Sequence, residues 1–402
     1  MDNVTLDLLV LNKNFRNIDL HEVPDIAKKF VSGFSRTCKA KKVLCNLAWE
    51  RFGVSPSDRN YANSFIMFEL YRAVFDEFAK QGIETTFLVN SFHTKEEHYD
   101  IYDVNTKVIP INWHLWYTYS EVFLNDTAIP NDKWNRDADK YLFLTGKPNR
   151  TNRIRLLWKM YAKGLLDKCV WSFFMAERHH LFNNRNKQYR ETRRLLPELT
   201  DTQFNDFIFD MVRYPDAAAE MVRGCTAGDW LSLMGNKFST ELYSNTKFRV
   251  ISEGSDIEDT NVFITEKTYQ AILNRVPFMI TGQTNYEKKL QEMGFKTYEQ
   301  YMRNPNYNSI YGDEQYDMVC DNIVGWMDYM RVGIETDVEH NFKHYVKLAL
   351  EAENILSKLN DEFEFKLEPK DYYKMANTFY LTGLNRDYSI GLRPEQMRFA
   401  FP

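Results

Sequence analysis

Apolar residues fall along this chain in two kinds of block: short unbroken runs, and longer stretches where they recur every third or fourth position. The short runs read as strands and the longer stretches as amphipathic helices. In the first third, strands are expected over residues 4–11, 42–47 and 84–89. Between the last two, Phe65, Phe68, Tyr71, Phe75 and Phe78 share one face of a helix over 65–80, which Gln81-Gly82 ends. Such an aromatic stripe reads as core packing. Strand-helix-strand alternation predicts a parallel sheet with helices on its faces.

The polar, turn-rich stretch from Pro130 to Asp137 reads as a linker. It divides the chain into an N-terminal α/β domain, 1–138, and a C-terminal α/β domain, 139–402, whose end is helical. In the second domain, strands are expected over 140–146, 170–174, 247–252 and 276–281, the last ending in Gly282. The loop 147–153 leads into a helix over 154–163, stopped by Gly164. Thr265-Glu266-Lys267 opens another helix, and a long one covers 341–359. There is no internal repeat and no low-complexity segment.

A chain of 402 residues has room for two domains with separate cores. The start carries no basic segment followed by an apolar run, and no apolar stretch is long enough to cross a bilayer. With five scattered cysteines lacking metal-ligand spacing, the expectation is a cytoplasmic protein with reduced thiols and no membrane partner. The net charge of −5 argues against a molecule that traps nucleic acid over its whole surface. Charge is uneven, however: a basic run extends from Arg178 to Arg194, and residues 351–368 are acidic. A polyanion docking on one face therefore stays open. Nothing in the sequence sets the oligomeric state.

The chemistry concentrates at Glu266-Lys267. A carboxylate there suits the ribose hydroxyls of a nucleotide diphosphate and an ammonium suits its phosphates. The helix N-terminus adds unpaired N–H groups that attract anions. The plain alternative is a surface helix with a charged first turn. Ligands of open parallel sheets bind at the carboxyl ends of strands. The 147–153 loop and the Thr265-Glu266-Lys267 start both meet that condition.

Phe263-Ile264-Thr265-Glu266-Lys267-Thr268-Tyr269, with Val276-Pro277, Gly282 and Asn285-Tyr286-Glu287, resembles the donor-binding segment of the α-1,3-fucosyltransferase family. Glycosyltransferase-like proteins of tailed bacteriophages are similar, sharing Thr-Glu-Lys-Thr and a following Gly-Phe-x-Thr, here Gly294 to Thr297. The resemblance is strongest over residues 245–300 and weaker over 139–175.

The resemblance implies a GT-B-like fold of two Rossmann-type domains facing across a cleft. It also implies an inverting, metal-independent transfer from a nucleotide-sugar donor, a UDP- or GDP-sugar, with no further cofactor. Arg153, after Asn152 at a helix start, would contact the donor pyrophosphate, with Arg150 and Arg155 as competitors. Glu253, Thr265, Glu266 and Lys267 complete the donor side. The base that deprotonates the acceptor belongs on the first domain, with Glu50 first and His93 second; Asp58 and Glu121 remain open. Two acceptors fit: a glycan, or a hydroxymethylated pyrimidine in double-stranded phage DNA, which is slightly favoured and would place the enzyme in the host cytoplasm. A non-catalytic sugar-nucleotide or glycan-binding module is the third possibility.

Other motifs carry less. Asp137-Ala138-Asp139 has the spacing of a metal-binding Asp-x-Asp but precedes a strand where it should follow one. His179-His180 lacks a carboxylate or thiol partner at ligand spacing. Trp113, His114, Trp116, Tyr117 and Tyr119 suit either a stacking platform or a core.

Overall fold

The computed structural model describes residues 3–7, 19–37, 39–46, 62–90, 106–119, 133–145, 150–173, 187–213, 243–253, 262 and 264–363. The chain separates into two compact units, residues 1–117 with 349–402, and residues 118–348. This division differs from a boundary at 138/139 chiefly in returning residues 349–402 to the first unit.

The first unit holds a parallel sheet in the order β1 (Asn3–Asp7), β2 (Lys42–Asn46), β3 (Glu84–Asn90), β4 (Thr106–Ile111). Helix α1 (Val23–Thr37) lies in sequence between β1 and β2, and α2 (Ala62–Lys80) between β2 and β3. The helical spacing of Ala27, Phe30, Val31 and Phe34 in α1 and of Tyr71, Phe75 and Phe78 in α2 gives each helix one apolar face. Both faces pack in one core with Val43, Cys45 and Phe87 of the sheet. Phe78 meets Phe34 edge-on at 5.3 Å and Phe75 lies 4.9 Å from Phe87. Burying each of these rings is worth about 2–3 kcal/mol. The α2 stripe is thus core packing at Tyr71, Phe75 and Phe78. Gly82, at φ 70°, ends α2: its N–H donates to the Ala79 carbonyl and that of Ile83 to the Phe78 carbonyl, the double bond of a left-handed helix stop. The short helix α3 (Trp113–Tyr119) follows β4, with Leu115 and Trp116 buried. A core role therefore accounts for Trp116.

The second unit has a second four-stranded parallel sheet built from β5 (Tyr141–Thr145), β6 (Cys169–Phe173), β7 (Arg249–Ser252) and β8 (Phe278–Thr281). Its order is β6-β5-β7-β8. Every residue of β7 and β8 is buried, as expected for parallel strands covered on both faces. Helix α4 (Thr151–Ala162) connects β5 towards β6, and α7 (Glu266–Leu273) connects β7 to β8. Between β6 and β7 lie α5 (Lys187–Arg194) and α6 (Asp201–Arg213). After β8 come α8 (Tyr286–Glu292), α9 (Asp313–Asp328) and α10 (Ile334–Phe363). Asp137 and Asp139 sit in the turn-rich stretch before β5, the position of a linker.

Helices α4 and α9 are joined by a ladder of ion pairs at matching four-residue spacing. Arg155 forks onto Asp313 with two bonds of 2.7 Å, Lys159 meets Asp317 at 2.7 Å, and Lys163 meets Asp321 at 3.4 Å. Arg155 also donates to the Leu195 carbonyl at 2.9 Å. This ladder fixes the helix whose first turn carries Asn152 and Arg153.

Candidate functional site

In the β6-β5-β7-β8 sheet the chain moves one way from β5 to β6, then returns past β5 to place β7 on its other side. The connections leaving β5 and β7 therefore run in opposite directions, the arrangement that in open parallel sheets makes a ligand crevice outside the carboxyl ends of the strands. Asn152 and Arg153 follow β5, Glu253 follows β7, and Thr265 to Lys267 begin α7. All six are described, and the structure brings them together. The Asn152 side-chain amide donates to the Glu253 carbonyl at 2.5 Å, bridging the two connections.

Glu253 is completely buried. Its carboxylate accepts from the Thr265 hydroxyl (3.0 and 2.9 Å), the Tyr286 hydroxyl (2.9 Å) and, more distantly, the Thr268 hydroxyl (3.5 Å). The Lys267 ammonium lies 3.9 Å away. That ammonium also donates to Glu266 at 2.8 Å and to the Thr265 hydroxyl at 3.2 Å. Thr265, in extended conformation before the helix, caps α7 by accepting from the Lys267 N–H. One threonine hydroxyl thus connects the buried carboxylate to the helix start.

Arg153 is only 7 % exposed. Burial pulls its guanidinium below the usual arginine value, and Arg150 acts in the same direction. Glu253 and Glu266 oppose that shift. Arginine stays charged through a shift of this kind. Its Nε, the Asn152 Oδ1 and the Ser252 Oγ are buried with no hydrogen-bond partner among the described residues. Buried polar atoms are almost always paired, so these three have hydrogen-bonding capacity that water, neighbouring chain or a ligand can take up. Arg150 is exposed at the N-cap of α4, and that helix start has no side-chain cap. Arg155, a competitor of Arg153 on sequence grounds, is committed to Asp313.

The site contains three cations, Arg150, Arg153 and Lys267, against two carboxylates, Glu253 and Glu266, leaving one net positive charge. Two helix N-termini add to it. Such an arrangement can hold an anion with charge-assisted bonds and leave a carboxylate for hydroxyl groups.

Several supporting residues have no assigned role in the sequence reading. Arg249, buried at the start of β7, donates to the Lys267 carbonyl at 2.9 Å and to the Tyr243 hydroxyl. Tyr286 supplies a hydroxyl to Glu253, and Asn285, at φ 58°, turns the chain into α8. Gly282, at φ 114°, ends β8 in a conformation that favours glycine, and its N–H donates to Gln315. The signals were an arginine opening an apolar strand and the Asn285-Tyr286-Glu287 sequence itself.

Glu287 is a second buried carboxyl. It accepts from the Tyr307 hydroxyl, which in turn accepts from the Ile280 N–H of β8 at 2.9 Å. Burial raises its pKa well above the ordinary range, and neighbouring Glu299 pushes the same way.

Glu50, His93, Asp58, Glu121, His179 and His180 lie outside the described residues. Of the basic run, α5 is described: Arg190 and Arg194 are exposed, while Arg193 is bound to the Leu196 and Leu199 carbonyls and to Asp201. Among the described residues, no helix is long and apolar enough to cross a membrane, and no group of three or more His, Cys, Asp or Glu could hold a metal.

Comparison with known proteins finds no matching family model, no matching curated protein and no matching solved structure.

Proposed function

We propose that this protein is a glycosyltransferase that moves a sugar from a UDP- or GDP-sugar onto an acceptor hydroxyl, with inversion and without a catalytic metal. The observation that carries the reading is the buried Arg153, whose Nε has no hydrogen-bond partner among the described residues, at the carboxyl ends of β5 and β7, where Lys267 pairs with Glu253 and Glu266. Arg153 and Lys267 would bind the pyrophosphate and neutralise the leaving nucleoside diphosphate. Glu266 would take the ribose hydroxyls, with Arg150 at the solvent side. Glu50, or failing it His93, would deprotonate the acceptor.

The favoured acceptor is a hydroxymethylated pyrimidine in duplex DNA. The resemblance to phage proteins and the exposed Arg190 and Arg194 support it. A DNA enzyme of this kind must extrude its target base. The net charge of −5 supports the second reading, a glycan acceptor, because phosphate contacts normally dominate duplex affinity.

The test is a panel of nucleotide sugars offered with hydroxymethylated DNA, plain DNA and free glycans, read by donor hydrolysis and transfer. Transfer to modified DNA alone supports the favoured acceptor. Binding of no nucleotide sugar at all sinks the reading.

A further inference from the structure

Glu253 sits at the centre of the site yet has no surface to offer a ligand. Its side chain is 0 % exposed, and its carboxylate faces three hydroxyls and one ammonium, all from the protein. Its main chain is fixed as well: the N–H donates to the Thr281 carbonyl at 3.0 Å and the carbonyl accepts from Asn152. One residue therefore ties together the ends of β7 and β8, the first turns of α4 and α7, and Tyr286 of α8.

A buried charge is tolerated when it is paired. Arg153 and Lys267 are cations in a largely buried crevice, and both lie within the field of Glu253. Before an anion arrives, something else must balance them. We infer that Glu253 is a positioning residue and built-in counterion: it makes no contact with the donor, holds the Thr265–Lys267 turn in place, and supplies the negative charge that the donor's phosphates later bring. This rests on the phosphate-binding reading above, and departs from a donor-contacting role for Glu253.

The charge has opposite consequences for the two states of the site. Removing it makes the crevice more cationic, so phosphate binds more tightly while the unliganded protein loses stability. A residue that touched the donor would lose affinity on substitution. A plain scaffold residue would lower stability and leave affinity alone.

The experiment compares the wild type with Glu253→Gln, a substitution of equal size, by calorimetric titration with UDP, GDP and inorganic pyrophosphate, and by Tm with and without each. Glu253→Gln should bind the preferred anion about fivefold more tightly, since one nearby negative charge is gone. Its Tm should be lower without the anion and should rise more on binding than that of the wild type. Weaker binding, or unchanged binding with a lowered Tm, overturns the inference. A wild type that binds none of the three anions refutes the phosphate reading itself, and the inference with it.

If Glu253→Gln fails to fold, the double variant Glu253→Gln/Lys267→Met decides. Removing one of the cations that Glu253 faces should restore a folded protein, as expected when two groups balance each other. A double variant that also fails to fold counts against the counterion role.

Discussion

The Asn152 amide and the Glu253 carbonyl, 101 positions apart in the chain, form a buried 2.5 Å hydrogen bond that joins the connections leaving β5 and β7. Asn152→Ala should cost about 1–2 kcal/mol, the usual result of leaving a buried acceptor unpaired, measurable by urea unfolding. Nucleotide affinity should fall in parallel. A variant as stable as the wild type would show that the bond does not hold the crevice.

Arg153 has a buried guanidinium whose Nε lacks a partner among the described residues. Arg153→Met should weaken nucleoside diphosphate binding about 30-fold, equivalent to ~2 kcal/mol for charge-assisted bonds. Arg153→Lys should recover part of this, because an ammonium keeps the charge but lacks the planar fork. Titration calorimetry at two salt concentrations checks both. Equal affinity in all three proteins would remove Arg153 from the site.

Arg155 and Asp313 should contribute to stability and not to binding. The guanidinium holds the Asp313 carboxyl below the usual carboxylate range. The sign follows: this stabilisation is present above the unfolded value near pH ~4 and lost as pH falls through the lower folded value. Asp313 is half exposed, so solvent screening limits the loss in Asp313→Asn to about 0.5–1 kcal/mol at low salt. The gap should narrow in high salt and as pH falls through the lowered folded value, with nucleotide affinity unchanged.

Glu287 behaves in the reverse sense. Burial, with Glu299 nearby, raises its pKa, so the folded protein keeps a proton that the unfolded chain releases. Stability from this group is full below the unfolded value near pH ~4.3 and falls as pH rises towards the folded one. Glu287→Gln, which cannot ionise, should flatten the decline of Tm between pH 5 and 8. Parallel Tm curves for the two proteins would show that the carboxyl is not held protonated.

Glu50 and His93 are tested by separating turnover from binding. Glu50→Gln should reduce kcat by at least about 100-fold, the usual scale of general-base catalysis, while nucleotide affinity stays the same. Loss of turnover in His93→Ala instead would move the base there. Turnover unaffected by either substitution would remove both.

The parts legible in the sequence are those where both faces of a strand are buried or where a helix start has distinctive chemistry. Residues 247–252 and 276–281 enclose β7 and β8, and Thr265-Glu266-Lys267 does open α7. Strand β4 was not anticipated because it lies at the sheet edge and contains Pro110, which a central strand excludes. Helix α1 carried its signal in the spacing of Ala27, Phe30, Val31 and Phe34. The convergence of Asn152, Glu253 and Tyr286 had no local signature. It depends on which strands become neighbours, and the return of the chain past β5 is a property of the whole sheet.

The ion pairs between α4 and α9 repeat at identical four-residue intervals, so charge alone would accept a slip of one helical turn, about 5.4 Å. Two of three pairs would survive it. Arg155 breaks that degeneracy, because its guanidinium must reach both oxygens of Asp313 and the Leu195 carbonyl together. The first rung acts as a key, and the next two only reinforce the setting it selects. Two residues before that key stands Arg153, so the depth of its guanidinium in the crevice is indexed from the far side of the helix.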